Sequence, residues 1–142
     1  MGYMQWYEEF AAKHRAIVER LKDKSREEIL AYFDYENMRV KHPDFCPLYA
    51  QGVKCHEMEG LNCYFCGCPA FRFCDTGLDK IGGKTRYSLC AVASRWSTAV
   101  ESATAIHQDC SHCPLPHRVG FIRRHFDRDW KRTMAEVPAC KR

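Results

Sequence analysis

The chain lacks any apolar run long enough to span a bilayer, and no secretory signal opens it. Its first residues, from Met1 to Phe10, are aromatic and charged instead. These absences predict a cytoplasmic protein with no membrane association. Also missing are the glycine patterns of Rossmann and Walker phosphate sites, and Gly82-Gly83 alone does not imply one. There is no Gly-x-Ser-x-Gly nucleophile elbow. The zinc deaminase signature, a His-x-Glu with a Pro-Cys-x-x-Cys, is absent as well. Nothing in the sequence orients a base toward Cys74 or Cys90, so an autonomous enzyme is the less favoured reading. No internal repeat or low-complexity segment occurs.

What is present fits one small domain with a core of ordinary size: 142 residues, 46% hydrophobic and 28% charged, with a net charge of +4. The excess is local. Residues 1–45 carry eight basic and nine acidic side chains, residues 46–113 six of each, and the stretch from Pro114 onward eight against three.

Residues 3–22 predict an amphipathic helix, because Trp6, Phe10, Ile17, Val18 and Leu21 recur at helical spacing. Ser25-Arg-Glu-Glu28 is a capping-box sequence, so a second helix is expected after Ser25 through Ile29, Leu30, Tyr32 and Phe33. From Asp44 to Cys74 periodicity vanishes, and Pro47, Gly52, Gly60, Gly67 and Pro69 punctuate the chain. Gly82-Gly83 marks a turn. Leu89, Val92, Trp96 and Val100 predict a third helix over 88–106. A last helix is expected over 118–136, with Phe121, Ile122, His125, Phe126, Trp130 and Met134 inward and Arg123, Arg124, Arg128, Lys131 and Arg132 outward. The expected fold is thus mainly α, a small single domain around an irregular, metal-organised cysteine-rich loop module. Its segments would be a helical extension (1–45), the cysteine module (46–117, with an insertion over 75–109) and a basic amphipathic helix and tail (118–142).

Nine of the ten cysteines fall between Cys46 and Cys113, and five crowd into the twenty residues from Cys55 to Cys74. In a reducing compartment such spacing favours metal over disulfides. Thiolates converging from short turns hold soft metals. A single zinc site could pair Cys63-x-x-Cys66 with Cys110-x-x-Cys113, leaving Cys46, Cys55, Cys68 and Cys74 without a role. The dipeptides Cys46-Pro47, Cys68-Pro69 and Cys113-Pro114 repeat the ligand-then-proline step of bacterial ferredoxins, and eight cysteines are what two four-iron clusters need. The interleaved aromatics Tyr49, Tyr64, Phe65, Phe71 and Phe73 would exclude water from such clusters.

The run Cys55-His56, Cys63-Tyr-Phe-Cys66-Gly-Cys68-Pro69, Cys74 and Asp109-Cys110-Ser-His-Cys113-Pro-Leu-Pro-His117 resembles the cysteine-rich small domain family, with Cys46 matching its first cysteine. That family is described as a metal-binding module of unassigned activity, and some members accompany or are fused to cobamide-biosynthesis enzymes. The resemblance covers residues 46–117. It implies a ligand or supporting role for His56 and His117. The stretch between Cys74 and Cys110, containing Cys90, and the forty-five residues before Cys46 depart from the family pattern.

The expected ligands are therefore Cys46, Cys55, Cys63, Cys66, Cys68, Cys74, Cys110 and Cys113, with Cys90, His56 and His117 in reserve; Cys140 is read as a bystander. Three functions compete. The first is an iron–sulfur protein with two [4Fe–4S] clusters, transferring electrons to an acidic redox partner docked on the basic last helix. The second is a zinc-organised module for protein or nucleic-acid interaction. The third is an enzyme whose cluster, held by three cysteines, binds substrate. Nucleic acid is the weaker partner, because Asp127 and Asp129 interrupt the basic patch.

Overall fold

The computed structural model describes residues 2–140, so Lys141 and Arg142 of the basic C-terminal stretch lie outside the described residues. The chain divides into two compact units. Unit 1 comprises Met1–Cys66 and Pro114–Thr133, and unit 2 comprises Gly67–Cys113 and Met134–Arg142.

Unit 1 is helical. Helix α1 (Tyr3–Arg20) buries Tyr7, Phe10, Ala11, His14, Ile17 and Val18, a stripe at spacings of three and four that puts one face inward. Helix α2 (Arg26–Tyr32) starts at the capping box read from the sequence. The Glu28 N–H donates to Ser25 Oγ at 3.2 Å, and the Ser25 N–H donates to Glu28 Oε1 at 3.1 Å. Asp34 then caps a separate helix α3 (Tyr35–Lys41), its carboxylate accepting from the Glu36 N–H. Short 3-10 turns follow both Cys46 and Cys113, at Pro47–Gln51 and Leu115–His117. Helices α4 (Val119–Arg124) and α5 (Trp130–Thr133) complete the unit. Its core is aromatic: Phe33, Tyr64 and Phe65 are fully buried among Ile29, Leu30 and Met38.

Unit 2 is built from six short strands in two sheets. Strands β1 (Phe71–Phe73) and β4 (Ser88–Cys90) pair antiparallel. Strands β2 (Asp79–Ile81), β3 (Lys84–Arg86), β5 (Thr98–Glu101) and β6 (Ala105–Asp109) form a second sheet in the order β2-β3-β6-β5. Within this sheet the β3–β6 pairing is parallel and the other two are antiparallel. The β2–β3 hairpin turns on Gly82 and Gly83 (φ 58° and 82°), the two positive-φ positions that a tight two-residue turn demands.

This corrects the mainly-α expectation. The protein is a mixed α/β structure with 36% helix and 17% strand in two sheets. The helix expected over 88–106 is β4, a loop and β5. Leu89, Val92, Trp96 and Val100 recur at helical spacing, yet Val92 and Val100 are exposed, and Ala93 takes φ 48°, which no right-handed helix allows. The helix expected over 118–136 is interrupted between α4 and α5. There Asp127 Oδ1 accepts from the Asp129 N–H at 2.8 Å, and Asp129 Oδ1 accepts from the Lys131 N–H at 3.0 Å. These carboxylates offer the backbone bonds that compete with a continuous helix.

Candidate metal centre

In unit 1 the spacing from Leu61 to Cys66 is set by one buried amide. Asn62, 3% exposed, donates from Nδ2 to the Leu30 carbonyl at 2.7 Å, and its Oδ1 accepts from the Tyr64 N–H at 2.9 Å. Main-chain bonds flank it: the Tyr35 N–H donates to Leu61 O, and the Cys63 N–H to Phe33 O, each at 2.9 Å. The end of α2 and the start of α3 thus hold the Cys63-x-x-Cys66 turn. That turn is closed by the Cys66 N–H on Cys63 O at 3.4 Å, and the Trp130 indole donates to Cys66 O at 3.0 Å. Asn62 was not singled out by the sequence reading, since a lone polar residue before a cysteine carries no pattern.

The same residue orients His117. The Asn62 N–H donates to His117 O at 3.1 Å, and His117 Nδ1 lies 2.9 Å from Asn62 O. A carbonyl only accepts, so Nδ1 carries the proton and Nε2 presents its lone pair. That Nε2 lies 3.4 Å from Cys55 Sγ. A ring with Nδ1–H on a backbone carbonyl and Nε2 turned to a soft donor has the arrangement of a metal-ligating histidine. His56 stands beside it, ring centroids 5.1 Å apart. One ligand atom from each of Cys55, His56 and His117 lies within 4.8 Å of the others.

Three more thiols face the same place. Cys46, Cys55, Cys63 and Cys66 line one small cavity of about 20 Å³ together with Tyr35, Tyr49 and His117. Burial pushes the Cys63 thiol up to about 12, opposed by the Tyr49 hydroxyl and reinforced by Cys55 and Cys46. Burial, then Cys46, raises Cys55 too. His117 is held below the usual imidazole range, chiefly by burial, which favours the neutral ring that a metal would need. The buried Tyr49 hydroxyl has no well-formed hydrogen bond, although it is close enough to Cys63 to favour a thiolate there. A poorly satisfied donor beside clustered thiols fits a metal thiolate that would accept its hydrogen bond.

Unit 2 holds the other thiols. Cys68 follows Gly67 (φ 104°) and itself takes φ 57°. Its pKa is raised by burial, against bonds from the backbone amides of Ala70 and Phe71, and Cys90 and Cys113 add to the rise. Burial lifts Cys110 to about 11, with Cys68, Cys113 and Cys90 adding to it. Cys74, expected among the ligands, is disulfide-bonded to Cys140. Cys140 is therefore no bystander, and Cys90, held in reserve, lies with the thiols.

The basic residues of the last helical segment are largely engaged within unit 1. Arg123 pairs with Glu27 at 2.7 Å, Lys131 with Glu8 at 2.7 Å and Arg132 with Asp127 at 3.0 Å, while Arg128 donates to Lys24 O at 2.6 Å. No helix of the described residues is long and apolar enough to cross a membrane. No family model matches this chain, and no curated protein or solved structure matches it. What the site offers is a group with both sulfur and nitrogen donors, Cys55, His56 and His117, that could hold a metal ion.

Proposed function

We propose that this chain is a zinc-organised module whose unit 1 centre is built from Cys46, Cys55, Cys63 and Cys66 with His56 and His117. The observation that carries this reading is the closeness of unlike donors: a thiol and two imidazoles within 4.8 Å of one another. Two atoms bound to one tetrahedral zinc at about 2.0–2.3 Å sit roughly 3.3–3.8 Å apart, so small rotamer changes reach that geometry. The six candidates exceed the four places of one tetrahedron, so two of them serve as outer partners. A structural centre of this kind contributes folding free energy and presents a surface for other molecules. The eight free thiols suit a reducing compartment such as the cytoplasm, whereas the Cys74–Cys140 disulfide speaks against one. Kinship with the cysteine-rich small domain family, including any tie to cobamide enzymes, belongs to this proposal and rests on the motif residues.

One observation favours the iron–sulfur reading as the alternative. Cys46, Cys55, Cys63 and Cys66 fall in unit 1, and Cys68, Cys90, Cys110 and Cys113 fall in unit 2, the four-and-four division that two [4Fe–4S] clusters require. Electron transfer to an acidic partner goes with that alternative. Against it, paired imidazoles are not cubane ligands, and a cubane spreads its four sulfurs over separate irons. Metal and acid-labile sulfide analysis of protein purified without oxygen decides the matter. Colourless protein containing zinc supports the proposal. Brown protein with iron and sulfide in equal amounts refutes it.

A further inference from the structure

We propose a second metal centre in unit 2, a single zinc-class divalent ion held by Cys68, Cys90, Cys110 and Cys113. None of these sulfurs belongs to unit 1, so the inference goes beyond the centre described above and does not rest on it. Strand pairing brings the first two thiols near each other. Phe71 of β1 is in register with Cys90 of β4, and the Ala91 N–H donates to Ala70 O at 2.8 Å, so Cys90 stands beside the Cys68–Ala70 loop. The other two share one turn, closed by the Cys113 N–H on Cys110 O at 3.0 Å.

Ser94 ties the pairs together. Its N–H donates to Cys90 Sγ at 3.4 Å, and its hydroxyl lies 3.1 Å from Cys113 Sγ. One small side chain thus contacts a sulfur from each pair, which places both on the same loop surface. Ser94 is also the outer partner that thiolate ligands need, as are the amides of Ala70 and Phe71 on Cys68.

Backbone strain points to the same place. Among the described residues the only non-glycine positions with positive φ are Cys68 (57°) and Ala93 (48°), one a ligand and one between Cys90 and Ser94. Such conformations persist where surrounding structure over-determines them, and they cluster at ligand sites. Cys74 takes no part because its sulfur is bonded to Cys140. On loading, each thiol releases a proton to solvent as its sulfur binds the ion.

The test combines metal counting with N-ethylmaleimide trapping on the full chain loaded with zinc. Wild type is expected to hold two ions, and Cys90→Ser one. In loaded wild type Cys68, Cys90, Cys110 and Cys113 should resist alkylation, and all four should react together once a chelator extracts zinc. The trapping needs no variant, so a Cys90→Ser chain that does not fold leaves the proposal open to refutation. Rapid alkylation of Cys90 while zinc is bound overturns it. So does a folded Cys90→Ser protein with both ions, a chelator that changes the reactivity of none of the four, or iron with sulfide at these thiols. One ion per chain, with these four protected and the unit 1 thiols reactive, supports this centre and removes the unit 1 reading.

Discussion

Replacing Asn62 with alanine should cost stability and metal affinity together. The side chain makes two buried hydrogen bonds, Nδ2–H to Leu30 O at 2.7 Å and Oδ1 from the Tyr64 N–H at 2.9 Å. Leu30 and Tyr64 are 1% and 0% exposed, so water does not replace the lost partner at either end. A buried polar group stripped of its partner costs roughly 1–3 kcal/mol, so losing both bonds in Asn62→Ala should destabilise unit 1 by about 2–6 kcal/mol. The His117 bonds run to the Asn62 main chain and survive the substitution, so the loss falls on the Cys63–Cys66 turn. Urea unfolding of the zinc-loaded chain, followed by the fluorescence of the buried Trp130, measures the first effect. Competition with a chelator measures the second. A change in unfolding free energy under about 0.5 kcal/mol would show that the amide is not the clamp and would refute the reasoning.

His14 makes unit 1 acid-sensitive. Its ring is 0% exposed, and burial holds its pKa at about 4, against the bond it makes to Tyr64 O. The folded value lies below the unfolded 6.5, so the stability due to its neutrality is complete above pH 6.5 and is lost as pH falls toward 4. That loss is about 3 kcal/mol, and the stability difference between wild type and His14→Phe should shift by this amount between pH 7 and 4. A difference independent of pH would count against it. Tyr49→Phe should be neutral or stabilising in the metal-free chain, where a buried hydroxyl lacks a good partner, yet should weaken zinc binding in chelator competition. Equal effects in both states would remove Tyr49 from the centre. Reducing Cys74–Cys140, which closes a separation of 66 residues, should destabilise unit 2 by up to about 4 kcal/mol in the chain-entropy account, measured as a thermal shift with and without reductant.

Signals carried by contiguous residues were legible in the sequence. The Ser25–Glu28 capping box and the Gly82-Gly83 turn each need only their own neighbours, and both stand as read. The helix expected over 88–106 failed because four apolar residues at helical spacing do not outweigh the serines and threonines of that stretch, where Ser94 and Ser97 bond locally. Asp127 and Asp129 were read as gaps in a basic patch, whereas they also interrupt the helix. In the site, cysteine density pointed to a group able to hold metal, but the partition of the thiols did not follow from spacing. Cys63-x-x-Cys66-x-Cys68 looks like one ligand run, yet the unit boundary falls within it at Gly67. β1–β4 pairing brings Cys90 beside the Cys68–Ala70 loop and a disulfide removes Cys74 from the free thiols, both long-range events invisible to motif reading.

The two units differ in what holds them, and that difference bears on what the metal does. Unit 1 has a deep core of Ile29, Leu30, Phe33, Met38, Tyr64, Phe65 and Ile122, each at most 1% exposed. Burying such side chains contributes about 1.5–3 kcal/mol apiece, enough to keep helices packed without a ligand. Among the described residues the buried apolar positions of unit 2 are Ala70, Cys74, Ile106, Cys113, Met134 and Val137, and two of those six are cysteines. Strands β2 and β5 are exposed along their whole length. A sheet so thinly covered cannot offset the conformational entropy of ordering its chain by apolar burial alone. If the proposed unit 2 centre forms, sulfur chemistry supplies the balance, through the disulfide and the four remaining thiols. Chelation under reducing conditions should therefore leave the amides of unit 1 protected from hydrogen exchange while those of unit 2 exchange freely. Protection persisting in β1, β4 and β6 after both treatments would mean that the strands stand on packing, and that neither metal nor disulfide is structural there.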